Sequence, residues 1–318
     1  MNIENEIKVS VCVVTYNQES YIAECLESLV TQQTNFKYEI IVGEDCSTDG
    51  TRSIIERYVK EYPELVVPLF HEKNVGPVEN LKRTYKKARG KYIAHLDGDD
   101  AALPQKLQRQ YDVLQHNSDC SICVHNMKAV DKYSIETERT FQKHEETKYR
   151  LLDLYLKSPL FVHSSKMFVN KLSEYIDQMD ENALDLEFHI EQAKQGNIYV
   201  LEEVLGVYRQ FVGVTYQNNI INEIIPKRVM SVFNNVNMNF FSKKEREILR
   251  NRYSYILLKY AIHYLIHNDL EKSKFFLRES FGQSKNIFNS IFFLIYISPQ
   301  FFRLIFLGIK KIKDGGLR

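Results

Sequence analysis

The sequence predicts an α/β protein in which helices flank a mixed, mainly parallel sheet, followed by a C-terminal helical region. Over the first ~100 residues, short β-branched runs alternate with amphipathic stretches, which is the pattern of β-α units around a parallel sheet. Three of the predicted strands end in polar clusters. Beyond about Asn222 the chain becomes rich in Ile, Leu, Phe, Tyr and Lys, and this composition predicts helices. We therefore place a domain boundary near residue 225.

The composition is that of a globular protein from a reducing compartment. The chain has 318 residues, of which 44% are hydrophobic and 26% are charged, so it can bury a core and is not disordered. A formal net charge of +1 argues against a nucleic-acid partner. The five cysteines are scattered and indicate no disulfide framework. No apolar run follows the charged N-terminus, so we expect a cytoplasmic protein without a signal peptide.

The first part of the sheet is predicted from four apolar runs. These runs are residues 9–15, 38–42, 65–70 and 91–96. Apolar residues at helical spacing follow each of the first three runs, in residues 19–31, around Ile55 and through Leu81. Gly90 follows the third of these helices, where we expect it to adopt the left-handed conformation that often ends a helix.

The second part of the sheet is less regular. We predict helices at residues 104–116 and 183–195 and a strand at residues 121–130. The apolar residues of 160–169 predict another strand or a strand pair. A further strand within residues 198–211 is expected to lead away from the sheet.

The end of the fourth predicted strand carries the most informative local feature, the run Asp97-Gly98-Asp99-Asp100. The first strand ends at Thr15-Tyr16-Asn17 and the second at Glu44-Asp45. Because the carboxyl ends of parallel strands meet at one edge of a sheet, we expect these clusters in one cleft. The carboxylates of an Asp-x-Asp turn are hard oxygen ligands that suit Mg²⁺ or Mn²⁺, with diphosphate oxygens and water completing the shell. The alternative is a solvated acidic turn.

Together these segments resemble the family 2 glycosyltransferases, which are inverting enzymes of the GT-A fold. The resemblance is carried by residues 9–17, 44–51, 74–76 and 95–100, and it extends over about residues 8–212. It implies a bacterial surface-polysaccharide enzyme that moves a sugar from a nucleotide-diphosphate donor, with a UDP-sugar favoured, to a hydroxyl of a glycan or lipid-linked acceptor.

The resemblance also implies an organisation of the chain. A GT-A domain would occupy residues 1–225, with a nucleotide-binding half at about 1–100 and an acceptor half at about 101–225. A helical region would then occupy residues 226–318.

The donor-side residues are assigned from the resemblance, by position. Asp45 would hydrogen-bond the base, Asp97 would contact the ribose or the metal, and Asp99 would ligate the metal that bridges the diphosphate. The other residues expected to line the nucleotide pocket are Thr15, Tyr16 and Glu19. The residues alone leave alternatives: a carboxylate like that of Glu19 is favoured near a helix N-terminus, and Asp45 is a turn former.

The acceptor side is similar to the family over residues 185–188, 196–198 and 201–209. Asp185 matches the general base, and Glu187 is the next candidate. Inverting transfer needs one carboxylate opposite the leaving nucleotide to take the proton of the attacking hydroxyl. The alternative for Asp185 is an ordinary first-turn residue of a helix. The run His163-Ser164-Ser165 is a further candidate for the acceptor cleft, with a core or surface role as its alternative.

One departure from the family pattern follows Tyr208-Arg209-Gln210, where Phe211 stands in the place of a histidine found in many members. A phenyl ring cannot ligate a metal or hydrogen-bond a diphosphate. Either Arg209 takes over the phosphate contact or the metal has fewer protein ligands. The departure favours the alternative function, a catalytically weak or inactive binding or scaffold protein. A nucleotidyltransferase is a third reading, but we find no basic loop to grip a triphosphate.

The segment 286–313 is the other distinctive feature. Residues 286–302 carry no charge, are interrupted by Pro299, and precede a lysine cluster at residues 310–313. The run is short and broken for a helix that must span ~20 apolar residues. Its lysines suit peripheral contact with the anionic inner face of the cell membrane. The alternative is a packing surface for the catalytic domain or for a second subunit, which leaves a homo-oligomer open.

Overall fold

The computed structural model describes residues 6–137, 144–210, 212, 222–284 and 298. The chain divides into two compact units, Met1–Arg228 and Val229–Arg318.

The first unit is organised around a sheet that has nine strands within the described residues. The strands are β1 (Ile7–Thr15), β2 (Lys37–Glu44), β3 (Val66–Phe70), β4 (Tyr92–Asp97), β5 (Ala101–Ala102), β6 (Cys120–Val130), β7 (Lys148–Tyr149), β8 (Met167–Val169) and β9 (Asn197–Arg209). Their order is β3-β2-β1-β4-β8-β6-β9-β5, with β7 beside β9. The helices are α1 (Ile22–Val30), α2 (Thr51–Glu61), α3 (Pro77–Lys86), α4 (Lys106–His116), α5 (Leu151–Lys157) and α6 (Asp185–Ala193).

The long ladders of this sheet are parallel and the short ones are antiparallel. β1 pairs in parallel with β2 and with β4, β2 with β3, and β6 with β9. The antiparallel pairings involve the short strands β5, β7 and β8. The central strand β1 is buried from Val9 to Val13, as expected for a strand covered on both faces. The predicted mixed, mainly parallel sheet is therefore confirmed.

Two predictions for the second part of the sheet are wrong. Residues 160–169 do not form a long strand, because a 3₁₀ helix at His163–Ser165 precedes the short β8. Ser165 donates its hydroxyl to the Val162 carbonyl, a local bond that competes with strand pairing. The strand predicted to leave the sheet, β9, instead pairs along β6 from Asn197 to Arg209.

The predicted left-handed role of Gly90 is also wrong. Among the described residues the glycine with positive φ is Gly76, and Gly90 is needed for a different reason. A Cβ at Gly90 would lie 2.6 Å from the Ser10 nitrogen and 2.7 Å from the Val9 carbonyl carbon. The absence of a side chain lets the loop before β4 approach the backbone of β1.

The described part of the second unit is helical. Helix α7 (Ile224–Asn234) crosses the division between the units, and α8 (Lys243–Ile266) and α9 (Leu270–Gln283) follow. Ser242 caps the start of α8, because its hydroxyl accepts the Glu245 N–H. None of the helices in the described ranges is both long and apolar enough to cross a membrane. The segment 286–313 lies outside the described residues except for Ser298.

Candidate active site

Three polar strand ends meet at one edge of the sheet. In the parallel register, Thr15 at the end of β1 lies opposite Glu44 of β2, and Val14 lies opposite Asp97 of β4. The β2 end continues directly into Asp45, whose N–H donates to the Thr15 carbonyl. The shared edge predicted from the sequence is therefore present.

The carboxylate of Asp45 organises the loop that precedes α3. It is buried, and its two oxygens accept the N–H groups of Val75 at 2.7 Å and Gly76 at 3.0 Å. Gly76 has φ of +87°, a conformation that side chains disfavour. Cys46, which follows Asp45 in the chain, also has positive φ and is only partly buried. Contact of Asp45 with a base stays a prediction, since these oxygens already bind the backbone.

The other three predicted nucleotide-pocket residues differ in their solvent exposure and in their hydrogen-bond partners. Thr15 donates its hydroxyl to Gln18 Oε1 at 2.7 Å and is buried. Glu19 Oε2 accepts the Gly50 N–H at 2.6 Å, at the start of α2. Tyr16 is 44% exposed, so its ring is accessible to a ligand.

The Asp97 carboxylate is held by buried neighbours yet stays accessible, with 36% of its side chain exposed. His95 Nε2 lies 3.1 Å from Oδ1, and the Ser164 hydroxyl donates to Oδ2 at 3.2 Å. Burial opposes the charge of Asp97, but His95, Ser164 and Lys166 outweigh burial and lower the pKa of Asp97.

The next two aspartates lack such compensation. Burial, followed by repulsion from Asp97, raises the pKa of Asp99 to about 7. Burial, followed by repulsion from Asp99 and then from Asp97, raises the pKa of Asp100 well above its ordinary value. Asp100 Oδ1 accepts the Arg209 N–H at 2.8 Å, whereas the buried Oδ2 has no hydrogen-bond partner among the described residues. An acidic turn with uncompensated charge and an orphaned carboxylate oxygen fits a divalent cation.

The protein alone does not complete a metal shell in the part of the chain that the structure describes. There, no group of three or more His, Cys, Asp or Glu side chains is arranged to hold an ion. Asp97 and Asp99 would therefore need ligands from elsewhere, such as the phosphate oxygens of a bound nucleotide.

Arg209 is buried and engaged with the protein. Its guanidinium donates to the Asp99 carbonyl at 3.0 Å, the Asp131 carbonyl at 3.1 Å and the Ser134 hydroxyl at 2.9 Å, and it pairs with Glu24 at 2.7 Å. Only 2% of the side chain is exposed. Phosphate contact by Arg209 stays a prediction, and it would require the guanidinium to exchange these partners. Within the described residues, Arg209 ties the acidic turn to α1 and to the loop after β6.

On the acceptor side, Asp185 is the first residue of α6 and 66% of its side chain is exposed. Desolvation, followed by repulsion from Asp97, raises the pKa of Asp185 to about 6. The carboxylate of Glu187, the other candidate base, already has protein partners: it accepts the Leu184 N–H at 2.9 Å and forms an ion pair with Arg228. Of the two carboxylates, Asp185 is the more exposed, and its role as the general base stays a prediction. Phe211, the departure from the family pattern, lies outside the described residues.

Residues 10–176, just over half of the chain, match the family model for glycosyl transferase family 2. The chain belongs to this family.

Relatives of this family 2 chain include proteins with and without a described role. An uncharacterized protein of Mycobacterium tuberculosis is 30% identical over 64% of the chain. The putative teichuronic acid biosynthesis glycosyltransferase TuaG of Bacillus subtilis is 36% identical over 35% of the chain. The chain spans 58% of the length of the first relative and 43% of the second.

The solved structures show the fold of this family 2 chain. The structure of S. aureus TarS 1-349 in complex with UDP-GlcNAc superposes with a TM-score of 0.55 at 21% identity, covering 88% of this chain and 93% of TarS 1-349. The predicted GT-A fold is confirmed.

The family 2 site includes buried residues that the sequence did not reveal. Lys106 and Lys166 are fully buried near the acidic turn, and burial lowers the pKa of Lys106 to about 8 and that of Lys166 to about 7. Lysine is usually exposed, so neither position carries a signal in the sequence. Ser164, a candidate for the acceptor cleft, is fully buried, as expected for its alternative role in the core, and its hydroxyl donates to Asp97 Oδ2.

Proposed function

We propose that the protein is a metal-dependent inverting glycosyltransferase that moves a sugar from a nucleotide-diphosphate donor to a hydroxyl of a glycan or lipid-linked acceptor. The observation that carries the proposal is the acidic turn of Asp97 and Asp99 at the carboxyl edge of the sheet, together with the exposed carboxylate of Asp185, whose pKa is raised in part by repulsion from Asp97. A UDP-sugar is the favoured donor, supported by the complex of TarS with UDP-GlcNAc. TuaG supports a role in a surface polysaccharide.

Asp97 and Asp99 would hold Mn²⁺ or Mg²⁺ together with the donor diphosphate. When bound, such an ion neutralises the diphosphate and stabilises it as a leaving group. The two side chains meet different requirements: Asp97 is held in place by His95 and Ser164, while Asp99 carries charge that an ion would relieve.

Asp185 would accept the proton of the acceptor hydroxyl as the oxygen attacks. A general base works best when its pKa approaches the working pH, and the pKa of about 6 makes Asp185 a stronger base than an ordinary aspartate. Its exposed side chain lets an acceptor approach.

The decisive experiment measures donor binding and turnover. The full chain is incubated with labelled UDP-sugars and Mn²⁺, and donor hydrolysis and calorimetric affinity are measured. Asp99→Ala or EDTA should abolish Mn²⁺-dependent donor binding while the fold stays intact. Asp112→Ala, on α4, is the matched control and should behave as wild type. Unchanged donor affinity in Asp99→Ala or in EDTA would contradict the metal assignment.

A binding or scaffold role is the second candidate, favoured by Phe211 in the place of the usual histidine. It predicts tight donor binding with no hydrolysis and no transfer. The same experiment separates the two functions, because hydrolysis above the buffer rate supports the enzyme.

Peripheral contact with the inner face of the cell membrane is proposed for residues 286–313. The support is the sequence, in which an uncharged apolar run precedes Lys310, Lys311 and Lys313. Lysines beside an apolar patch are attracted to anionic lipid.

A further inference from the structure

A buried 3₁₀ turn, His163–Ser165, contacts the donor-side carboxylate of the proposed site. All three of its residues are buried. The Ser164 hydroxyl accepts the N–H of Asp97 at 3.0 Å and donates to Asp97 Oδ2 at 3.2 Å. Ser164 thus binds both the backbone and the carboxylate of one aspartate, which restrains the rotamer of that side chain.

The preceding residue of the turn reaches the acceptor side. His163 Nδ1 lies 3.3 Å from Asp185 Oδ1 and 3.2 Å from His189 Nε2. Asp185 and His189 are four residues apart on α6, so they share one face of that helix. One imidazole therefore lies against the first turn of α6 at the point where the candidate base projects.

The turn is anchored on both sides by buried groups. Lys106 is fully buried, and its Nζ donates to the Ser164 carbonyl at 2.5 Å. The Lys166 carbonyl, directly after the turn, accepts the backbone N–H of His95 in β4 at 3.1 Å. These bonds fix the turn relative to α4 and to β4, the strand that ends at Asp97.

We propose that Ser164 and His163 are positioning residues that hold the carboxylates of Asp97 and Asp185 at a fixed separation. The proposal rests on the proposed function, in which Asp97 serves the donor and Asp185 serves the acceptor. An inverting attack requires the acceptor oxygen to approach opposite the leaving diphosphate, and a misplacement of about 1 Å can cost roughly 10²-fold in rate. Two consecutive residues of one turn connect the groups that define the two ends of that approach.

Neither residue is placed to react itself. Ser164 is fully buried with its hydroxyl engaged by Asp97. His163 Nε2 is buried and has no hydrogen-bond partner among the described residues, so it is closed to a substrate hydroxyl. Both residues would act through the carboxylates that they contact.

Two serines of the same turn provide a matched comparison for the donor side. Ser165 is as buried as Ser164, but its hydroxyl donates to the Val162 carbonyl at 2.7 Å. Ser164→Ala should weaken Mn²⁺ binding in the presence of UDP by about 10- to 100-fold, the usual cost of removing a hydrogen-bond partner of a metal ligand. Ser165→Ala should bind Mn²⁺ as wild type does. Calorimetry with Mn²⁺ and UDP measures this without turnover, and Ser164→Cys, which retains side-chain volume, replaces an alanine variant that does not fold.

The acceptor side is tested with His163. His163→Leu removes the nitrogen beside Asp185, whereas His163→Asn places an amide nitrogen near the position of Nδ1. At saturating UDP-sugar, the leucine variant should hydrolyse donor at least about tenfold more slowly, with unchanged affinity for Mn²⁺ and UDP, and the asparagine variant should recover part of the rate. A role confined to the core would lower stability equally in both variants without this recovery.

The outcomes distinguish failure of the proposed function from failure of the positioning role. Absence of Mn²⁺-dependent UDP binding in the wild-type protein would overturn the proposed function together with this inference. Wild-type binding combined with equal Mn²⁺ affinities of the Ser164→Ala and Ser165→Ala variants would overturn the positioning role alone. Equal hydrolysis rates in wild type and His163→Leu would remove His163 from it.

Discussion

Two neighbouring carboxylates of the acidic turn have opposite electrostatic surroundings. The Asp97 carboxylate accepts a hydrogen bond from the Ser164 hydroxyl and lies beside His95, so the pKa of Asp97 is lowered despite burial. Asp99 is close to that charge, and burial together with Asp97 raises its pKa to about 7. A charge that its surroundings leave partly uncompensated is stabilised by an added cation. At the residue scale, this imbalance is the reason to expect Mn²⁺ or Mg²⁺ beside Asp99.

Asp185 provides the direct test of the proposed chemistry. A carboxylate general base contributes roughly 10²–10⁴-fold, so Asp185→Asn should lower transfer by at least ~10²-fold. Donor affinity should stay near the wild-type value, because the amide keeps the size of the side chain and the donor is proposed to bind at Asp97 and Asp99. Steady-state kinetics and calorimetry measure the two quantities. A large loss in Glu187→Gln without one in Asp185→Asn would show that the base is misassigned.

The pH dependence follows from the same residue. Desolvation and Asp97 raise the pKa of Asp185 to about 6, and the base must be ionised to accept a proton. As pH falls through about 6, the ionised form is lost, and kcat/KM should fall about tenfold per pH unit below that value. A pH–rate profile of the wild-type protein measures this limb. A half-maximum near pH 4, the ordinary range of an aspartate, would contradict the raised pKa.

Part of the site is predictable from residues alone. The Asp-x-Asp spacing and the polar strand ends are local signals, because chain order at a parallel edge determines which side chains meet. Asp185 is singled out only by the family resemblance. Lys106 and Lys166 give no such signal, since their burial depends on elements far apart in the sequence. The hydrogen-bond partners of the Arg209 guanidinium give no local signal either, because Glu24 and Asp131 come from segments that are distant in the sequence.

Helices and strands that come from a regular alternation of apolar and polar residues are predictable from the sequence. Segments whose backbone is hydrogen-bonded by nearby side chains are not. The three β-α units and the fourth strand that ends at Asp97 follow from periodic apolar residues, and the structure contains them. The prediction at residues 160–169 fails because serine hydroxyls bond to nearby backbone, as Ser165 does to Val162. The course of β9 is set by pairing with β6, which periodicity does not specify.

Gly90 tests the close approach between the loop before β4 and strand β1. Gly90→Ala should lower the free energy of unfolding by about 1–3 kcal/mol, because the new Cβ would meet backbone atoms of Val9 and Ser10. Gly282→Ala is the matched control, since among the described residues nothing beyond its own helical turn lies within 4 Å of its Cβ position in α9. Denaturant unfolding compares the two variants. Equal stability of Gly90→Ala and wild type would contradict the close approach.

At the scale of the whole molecule, the texture of the sequence changes along the chain. The described part of Val229–Arg318 consists mainly of long helices, whereas the first unit alternates strands and helices. The change from alternating strands and helices to helices alone can be predicted from the sequence. Helices depend on the local spacing of apolar residues, whereas strands also depend on pairing with distant segments.

The membrane proposal is tested by a chain that ends after Gln283. This chain should stay folded and bind donor normally, because the proposed site lies in the first unit, and it should lose flotation with anionic liposomes. Full-length protein with neutral phosphatidylcholine liposomes is the control and should float less. Unfolding of the truncated chain, or full-length protein that never floats, would identify the segment as a packing element.

Cys46 gives the protein a natural attachment point for a fluorescent probe. The other cysteines, Cys12, Cys25, Cys120 and Cys123, are buried, whereas Cys46 is partly open in the loop between β2 and α2. Burial raises the pKa of Cys12 and Cys25 well above the ordinary thiol value, so these thiols are slow to react with maleimide. A dye on Cys46 would lie beside Asp45, in the loop expected to meet the base, and its emission would report nucleotide arrival in real time without a mutation.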